Sequence, residues 1–382
     1  MALKTARRGA VPAFIAMEVL RQANERAAAG HDVLHLEIGQ PGSAAPRAVI
    51  EAAHRALDQE ALGYTEALGL PALRQRIARH YGEAYGVELD WRRVVVTTGS
   101  SGAFLLAFLA AFDAGDRVAL ASPGYPAYRN ILAALGIEPV ELEVGPEHRF
   151  QPTPGLLAGL PEKPAGLIVA SPSNPCGTML DRGHLAALAS HCRAEGIRLI
   201  SDEIYHGITY GMAATSASAL DEAAIVVNSF SKYYAMTGWR LGWMVVPPDL
   251  SRAIECLAQN LFISPPALPQ HAAMVAFDCK AELDAMVRRY AENRALLLRE
   301  LPKAGFDKLA PADGAFYLFA DIGRLTNDSI AFCRRMLEET GVATTPGVDF
   351  DPARGNRYLR FSFAGDSADI AEAARRLVAW RR

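Results

Sequence analysis

Short apolar segments alternate with helical stretches through the middle of the sequence, and each apolar segment ends in polar, glycine or proline residues. The apolar segments lie at 92–99, 116–126, 165–175, 197–206 and 223–232. Helical sequences such as "SGAFLLAFLAAF" and "RGHLAALASHCRAEG" separate most of them. Uninterrupted apolar strands spaced by helices are typical of a parallel sheet that is covered on both faces. The sequence therefore predicts an α/β fold, with a mostly parallel central sheet and helices on both faces.

The C-terminal part of the chain has a different pattern. A long helical sequence spans 280–300, and the strand-like sequences "GAFYLFADI" and "NRYLRFSFAG" follow it. This pattern predicts a smaller α+β domain, because 382 residues are long for a single domain. We place the large domain at 46–285 and form the small domain from residues 1–45 and 286–382.

Composition argues against several classes of partner. The net charge of −3 is nearly balanced and no long run carries one sign, which disfavours nucleic acid or an anionic membrane as the main partner. Five cysteines without a C-x-x-C motif predict reduced thiols rather than disulfides or structural zinc. The longest strongly apolar run, 103–112, is about half of a membrane span, and the N-terminal region is amphipathic rather than signal-like. We therefore expect a cytoplasmic protein.

Common catalytic and cofactor motifs do not occur in the sequence. It contains no G-x-G-x-x-G, Walker A, H-E-x-x-H or G-x-S-x-G pattern, and its nine histidines are scattered, so no metal site is predicted. Ser229 and Lys232 do match S-x-x-K, the nucleophile motif of penicillin-binding enzymes. Those enzymes also need S-D-N and K-T-G, whereas this chain has only "SDE" at 201–203 and "MTG" at 236–238. A serine acylase is therefore an alternative that rests on one motif.

The segment "SFSKYYAMTGWRLGW", residues 229–243, surrounds Lys232 with hydroxyl and aromatic residues rather than charged ones. A lysine amine forms a Schiff base with an aldehyde, and pyridoxal phosphate is the cofactor that proteins hold in this way. Such a site also needs an anion facing the pyridine nitrogen, donors for the phenolate oxygen, an aromatic ring and a phosphate cradle. Candidates for these parts follow the predicted strands, where the chemistry of such sheets collects.

Each candidate also has an ordinary structural explanation. Asp202, after the strand "IRLIS", is either the anion or a loop or capping residue, and Tyr205 follows on the same side. Asn174 also fits a turn before proline, and Tyr125 also fits an aromatic core residue. "TGSSGAF" is either a capping sequence or an anion nest, and Arg240 is either a surface residue or a phosphate ligand. Their order and their positions after strands together favour one site.

Three blocks carry a resemblance to a known family. "SFSKYYAMTGWRLGW", "SPSNPCGT" and "SDEIYHGITY" resemble the signature blocks of the fold-type I, class I/II pyridoxal-phosphate-dependent aminotransferases. The similarity extends from "IGQPG" at 38–42 to "YLRFSFA" at 358–364. The resemblance implies an enzyme that moves an amino group between an amino acid and a 2-oxo acid in a ping-pong cycle, with pyridoxal 5'-phosphate as its cofactor.

The resemblance also implies a role for each site residue. Lys232 would bind the cofactor covalently and move the proton between the substrate Cα and the cofactor C4′ carbon. Asp202 would pair with the pyridinium nitrogen, and Tyr125 would stack on the ring. Tyr205 and Asn174 would donate to the phenolate oxygen. The phosphate would be held by Ser100, Ser101, Gly102, Ser229, Ser231 and Arg240.

Further residues would bind the substrate or reach a second subunit. Arg360, helped by Asn174 and the backbone at Gly39, would bind the substrate α-carboxylate. Tyr64 would reach the phosphate of the neighbouring subunit, which implies a homodimer with shared active sites.

Two positions depart from the family pattern. Cys176 replaces the usual threonine of N-P-T-G, a change that we expect to be neutral in a tight turn. Ser101 stands where prokaryotic aspartate aminotransferases commonly carry a lysine for the second carboxylate of the substrate. This difference disfavours a dicarboxylate substrate without excluding it, since Arg7, Arg8 or a residue of a partner subunit are candidates to replace that lysine.

Two alternatives keep the same cofactor. A C–S β-lyase of the same fold would release pyruvate and ammonia from cystathionine without needing a 2-oxo acid. A non-catalytic effector module would need an attached DNA-binding segment, and the residues before 38–42 leave little room for one.

Overall fold

The computed structural model describes residues 3–380 apart from the Arg7 side chain, so the suggested substrate role of Arg7 lies outside the described residues. The helices are α1 (Ile15–Ala28), α2 (Arg47–Gln59), α3 (Pro71–Tyr85), α4 (Gly99–Ala111), α5 (Pro126–Leu135), α6 (Pro154–Ala158), α7 (Arg182–Glu195), α8 (Ser251–Leu261), α9 (Ala267–Ala273), α10 (Lys280–Glu300), α11 (Ser329–Thr340) and α12 (Ser367–Ala379). The strands are β1 (Leu34–His35), β2 (Val94–Thr97), β3 (Arg117–Ser122), β4 (Glu138–Glu143), β5 (Gly166–Ala170), β6 (Arg198–Asp202), β7 (Ile225–Ser229), β8 (Gly242–Val245), β9 (Lys308–Leu309), β10 (Tyr317–Asp321), β11 (Val342–Ala343), β12 (Thr345–Pro346) and β13 (Tyr358–Ser362).

Seven strands form the central sheet in the order β2-β8-β7-β6-β5-β3-β4. All of them point the same way except β8, which is antiparallel to both of its neighbours. The predicted α/β fold with a mostly parallel sheet is confirmed. The sequence analysis missed two of these strands. β4 is an edge strand interrupted by glutamates, and the four-residue β8 begins within the segment 229–243 that surrounds Lys232.

Both faces of the central sheet are buried under helices. On β2, Val95 packs in a core with α4, α5 and α8, whereas its neighbour Val96 packs in a second core with α3 and α7. Successive residues of a strand point to opposite faces. A strand that is covered on both sides must therefore be apolar at every position, which explains the uninterrupted apolar runs in the sequence.

A second group of strands lies outside the central sheet. Four of them form an antiparallel sheet in the order β12-β13-β10-β9, and β1 pairs in parallel with β11. Their hydrophobic core includes residues of α10 and α12, together with Leu34 and Leu36 from the N-terminal region. The domain limits that we set at residues 46 and 285 stay a prediction. Among residues 3–380, the helices are too short or too polar to cross a membrane.

One edge of the central sheet collects the segments that the sequence analysis singled out. β2, β3, β5, β6 and β7 end at this edge, and the reversed strand β8 begins there, because Gly242 pairs with Thr97 and with Ser229. Only glycine fits at the start of β8. A Cβ on Gly242 would lie 2.9 Å from the Asn228 carbonyl oxygen and 3.0 Å from the Ser100 nitrogen.

Candidate active site

A cavity of about 250 Å³ opens at this edge of the sheet. Its walls come from the strand ends, from strands β10 and β13 of the antiparallel sheet and from the N-terminal region. Eleven of the residues selected from the sequence line it: Gly39, Ser100, Ser101, Tyr125, Asn174, Asp202, Tyr205, Ser231, Lys232, Arg240 and Arg360. Residues that are far apart in the chain therefore line one cavity, including those selected for their positions after strands and those, Gly39 and Arg360, that only the resemblance suggested.

Lys232 follows β7 and places its amine in the cavity. Its Nζ donates a hydrogen bond of 2.6 Å to the Gly39 carbonyl oxygen and lies 5.8 Å from the centre of the Tyr205 ring. Burial, together with the charges of Arg360 and Arg240, lowers the pKa of Lys232 to about 8, although the charge of Asp202 acts in the opposite direction. A lysine in this environment is uncharged more often than a surface lysine, and only the uncharged amine is a nucleophile.

Asp202 is the last residue of β6 and is buried at the floor of the cavity. Its Oδ1 accepts a hydrogen bond of 3.0 Å from the Ile204 amide, and its Oδ2 accepts one from the Tyr128 hydroxyl. Burial raises the pKa of Asp202 to about 6, while Tyr128, the Ile204 amide and Lys232 favour its charged form. The carboxylate is therefore a buried anion with two donors and no arginine or lysine in ion-pair contact among residues 3–380.

Tyr128 is a site residue that the sequence analysis missed. It lies in the first turn of α5, three residues after Tyr125, so the two rings share one face of the helix and their centres are 5.3 Å apart. The spacing of the two tyrosines was the available signal. This spacing did not indicate that the Tyr128 hydroxyl would donate a hydrogen bond to Asp202.

Arg360 projects from the middle of β13 and is 3% exposed. Its Nη1 donates to Asn174 Oδ1 at 2.8 Å, and its Nη2 donates to the Glu37 carbonyl oxygen at 2.7 Å and to Thr345 Oγ1 at 3.1 Å. All these acceptors are neutral, and the Nε has no hydrogen-bond partner within the described chain. A buried guanidinium without a counter-ion is costly, so this arrangement favours an anionic ligand.

Tyr317 contacts both Arg360 and Tyr205. It is a second site residue that was not predicted from the sequence. The Arg360 guanidinium carbon lies 4.3 Å from the centre of the Tyr317 ring, and the Tyr317 and Tyr205 hydroxyl oxygens are 2.7 Å apart. A Cβ on Gly39 would lie 2.7 Å from the Tyr317 hydroxyl oxygen. Glycine is thus required at this position to leave room between the N-terminal region and the two aromatic residues.

A second anion-binding feature lies at the other end of the cavity. Ser100 and Ser101 are in the first turn of α4, where amide N–H groups point outwards and the helix dipole favours negative charge. Arg240 faces this turn. Gly99 has a φ of +68°, and a Cβ there would lie 2.5 Å from Arg240 Nη2. The glycine therefore lets the guanidinium approach the helix start.

Two of the predicted phosphate ligands lie behind the cavity wall rather than in it. Ser229 Oγ is 2.9 Å from Ser231 Oγ and 3.2 Å from the Leu241 carbonyl oxygen, so it contacts the cavity only through Ser231. Gly102 is buried in the first turns of α4. A nucleophilic role for Ser229, as the S-x-x-K motif suggested, finds no support, because this hydroxyl is buried away from the cavity.

Tyr64 is separate from the cavity that contains Lys232. It is 84% exposed and lines a neighbouring depression together with Thr98 and Ser264. Thr98 directly precedes α4, so Tyr64 lies on the outer side of the anion-binding turn. Its role in a second subunit stays a prediction.

The N-terminal region forms an apolar wall that the sequence analysis did not anticipate. Phe14, which precedes α1, and Ala16, Met17 and Leu20 within α1 all line the cavity. The Phe14 ring meets the Tyr125 ring edge-on, with the ring centres 5.9 Å apart. The sequence revealed an amphipathic helix here, but not what its apolar face would cover.

Comparison with known protein families agrees with this arrangement. Residues 31–377 match the family described as aminotransferase class I and II. The chain belongs to this family, which confirms the resemblance seen in the signature blocks. The protein is accordingly an enzyme that transfers an amino group between an amino acid and a 2-oxo acid, and neither the lyase nor the effector alternative is favoured.

Individual aminotransferases are similar to this chain over nearly its whole length. The chain is 53% identical over 381 residues to a valine–pyruvate aminotransferase of Mycobacterium tuberculosis, covering 99% of this chain and 98% of the relative. A crystal structure of an aminotransferase from Mycobacterium tuberculosis superposes with a TM-score of 0.98 at 53% identity, over 99% of both chains. The aspartate aminotransferase of Thermus thermophilus with maleate superposes with a TM-score of 0.93 at 31% identity, over 99% of this chain and 100% of that one.

Proposed function

We propose that this aminotransferase binds pyridoxal 5'-phosphate through Lys232 and uses small apolar amino acids such as valine as donors, with pyruvate as the acceptor. One observation carries the proposal. The buried cation Arg360 and the amine of Lys232 line a cavity in which one wall, formed by Phe14 and the first turns of α1, is apolar. The name of the valine–pyruvate aminotransferase relative supports the same choice of substrate.

The chemistry of the cavity fits this cofactor. At one end, the start of α4, Ser231 and Arg240 provide donors and positive charge for a phosphate. Asp202 provides a buried anion for a protonated ring nitrogen, and Tyr125 provides an aromatic face. Lys232 provides an amine whose pKa is lowered to about 8. The close approach of Arg240 to Gly99, which a Cβ would block, keeps the guanidinium beside the helix start.

Each residue of the site has a separate role in the proposed reaction. Bound pyridoxal phosphate supplies an aldehyde for the amino group and a protonated ring that accepts electrons from the breaking Cα–H bond. Asp202 stabilises the positive charge on the ring nitrogen. Lys232 Nζ is the base for the substrate Cα proton, and its hydrogen bond to the Gly39 carbonyl orients it. Arg360 orients the substrate by its α-carboxylate, with Asn174 fixing the guanidinium.

The charges that line the cavity disfavour a second substrate carboxylate. Lys232, Arg240 and Arg360 are the cationic residues of the described lining, and each has a separate partner in the proposed arrangement. Arg8, which we considered as a substitute for the family lysine, is exposed and does not line the cavity. A donor with a charged side chain would have to bury that charge against Phe14, Met17 and Leu20, which is strongly unfavourable.

We also propose that the enzyme works as a homodimer in which Tyr64 reaches the phosphate end of the partner's site. Tyr64 is highly exposed. Two other large apolar side chains are also exposed: Leu261, the last residue of α8, and Ile263, which follows the helix. Ser264, the next residue, lines the same depression as Tyr64. Large apolar side chains exposed near each other in this way are typical of a subunit interface.

The substrate proposal predicts a preference for valine over aspartate as donor to pyruvate, by at least about 100-fold in kcat/KM, because an unpaired carboxylate would be buried. Alanine formation from pyruvate, followed by NMR with each donor, measures this preference. Faster transamination with aspartate would refute the proposed substrate class. Absence of transamination with either donor, although a 2-oxo acid acceptor and cofactor are present, would refute the proposed function as a whole.

The lowered pKa of Lys232 predicts the pH dependence of cofactor attachment. The neutral amine attacks the aldehyde, so attachment to cofactor-free protein should accelerate by about tenfold per pH unit below the pKa and level off near pH 8. Stopped-flow absorbance after mixing with pyridoxal phosphate gives the rate. Free Nα-acetyl-lysine is the control, and its rate should continue to rise above pH 8. A protein rate that rises in parallel with the control up to pH 10 would contradict the depressed pKa.

A further inference from the structure

The helix that forms the apolar wall has no cap of its own. Phe14 stands at the N-cap position of α1, and its side chain has no atom that accepts a hydrogen bond. The first two helical amides instead donate to Asp349: Ile15 N to Oδ1 at 3.0 Å and Ala16 N to Oδ2 at 3.1 Å. Asp349 is 2% exposed and lies 333 positions after Ala16. A distant carboxylate thus closes the N-terminus of α1, where negative charge is favoured.

Asp349 is itself held firmly on the side of the site that carries Arg360. It ends a short turn, Gly347–Asp349, that follows β12, the strand paired with β13. The Asp349 carbonyl oxygen accepts a hydrogen bond from Arg129 Nη2. The next residue, Phe350, accepts a hydrogen bond from the Gly124 amide and packs 4.8 Å from the Arg360 guanidinium carbon. Asp349 therefore fixes the start of α1 relative to the side of the cavity that carries Arg360.

The two halves of α1 are held differently. Its C-terminal half packs through Ala23 against Leu337 and Ala343. Its N-terminal half, which carries Ala16, Met17 and Leu20 into the cavity wall, starts after the exposed residues 8–13. The start of this half is held by the two hydrogen bonds to Asp349 and by the ring contact between Phe14 and Tyr125, and Val19 further along packs against the same cluster as Ala23. Loss of the carboxylate would let the cavity half of the helix fray while the far half stays packed.

We propose that Asp349 is a positioning residue that sets the preference for branched apolar donors by holding α1 against the substrate side chain. This inference rests on the proposed function, in which the apolar wall contacts the side chain of the donor. Asp349 does not line the cavity, so it acts through α1 and, by its charge, on Arg360, which binds the α-carboxylate common to both donors. Alanine, which has a single methyl group as its side chain, depends less on this wall than valine.

The test compares valine and alanine as donors to 2-oxobutyrate in the cofactor-loaded enzyme, because alanine with pyruvate as acceptor would only regenerate its own reactants. Asp349→Ala should raise the KM for valine about tenfold relative to that for alanine, and Asp349→Asn about threefold, because asparagine keeps one acceptor for the two amides. The kcat with each donor should change by less than about twofold, since Lys232 and Asp202 are untouched. Hydrogen exchange gives a second readout. The amides of Ile15 and Ala16 should exchange at least about tenfold faster in Asp349→Ala.

Asp181→Ala is the matched control. Asp181 caps α7 by accepting a hydrogen bond of 2.8 Å from the His184 amide, and it is exposed and does not line the cavity. This variant also loses an aspartate cap, but it should leave the ratio of the two KM values unchanged. If Asp349→Ala does not fold, the nearly isosteric Asp349→Asn carries the test.

Two results would overturn the inference while leaving the proposed function intact. One is faster exchange at residues 15–16 with an unchanged ratio of KM values, and the other is unchanged exchange in both Asp349 variants. A wild-type enzyme that treats valine and alanine alike would also overturn this inference, whereas the proposed function would stand, since alanine is the product formed from pyruvate. Failure of the proposed function would instead appear as absence of transamination with valine.

Discussion

Replacement of Lys232 by alanine is expected to abolish covalent cofactor attachment and to lower transamination by about 10⁴-fold or more, because one side chain supplies both the attaching amine and the base. Arg240, Asp202 and the start of α4 remain, so the variant should still bind pyridoxal phosphate non-covalently. Borohydride treatment followed by peptide mass spectrometry measures the attachment. The reduced adduct should lie on Lys232 in the wild-type protein and be missing in the variant.

Lys280→Ala is a suitable control for this experiment. Lys280 is an exposed lysine at the start of α10 that pairs with Asp284, and its removal should leave both the adduct and the activity intact. Small exogenous amines should partly restore activity to Lys232→Ala, since they can serve as the missing base. Wild-type activity in Lys232→Ala, or a reduced adduct on another lysine in the wild-type protein, would contradict the assignment.

Asp202→Asn should lower kcat by about 10²–10³-fold, the range found when one preorganised charge or donor is removed from a site. Asparagine retains a carbonyl oxygen that accepts from Tyr128 or from the Ile204 amide, so the fold should persist. It loses the negative charge that we propose for stabilising the protonated ring nitrogen. Steady-state kinetics measures the loss, and the borohydride adduct on Lys232 should be unchanged.

Tyr128→Phe provides the matched comparison for Asp202→Asn. It keeps the carboxylate but removes the hydroxyl that favours the charged form of Asp202, so the pKa of Asp202 should rise above its value of about 6. We expect a loss of activity below about tenfold that grows as the pH is lowered. If Asp202→Asn retains kcat within a factor of about three, the proposed role of the carboxylate is wrong.

The strand ends were the part of the site that sequence patterns predicted well. Asp202, Asn174 and Tyr125 each follow an apolar segment, and parallel strands bring their carboxyl ends to one edge. Their approximate neighbourhood followed from the fold class, before any contact was known. The resemblance to a family added roles, and it placed Arg360 beside Asn174, where the structure has a hydrogen bond of 2.8 Å between them.

Other parts of the site depend on turns and reversals that a sequence pattern does not contain. Arg240 reaches the start of α4 because β8 runs against its neighbours and begins at the functional edge. The four apolar residues after Gly242 were not predicted as a strand, and their sequence does not indicate a strand direction. Tyr128 was visible only as one of several residues of an amphipathic helix.

The sequence by itself determined the α/β class, the lysine at the centre of the site and the strand-end residues around it, because these features depend on local periodicity and on motifs of neighbouring residues. Tertiary structure decided what closes the site. Only folding brings Asp349 to the N-terminus of α1, places Phe14 against Tyr125 and leaves Arg360 buried without a counter-ion. Each of these contacts joins segments far apart in the chain, and the free energy that selects them comes from packing and burial rather than from local preference.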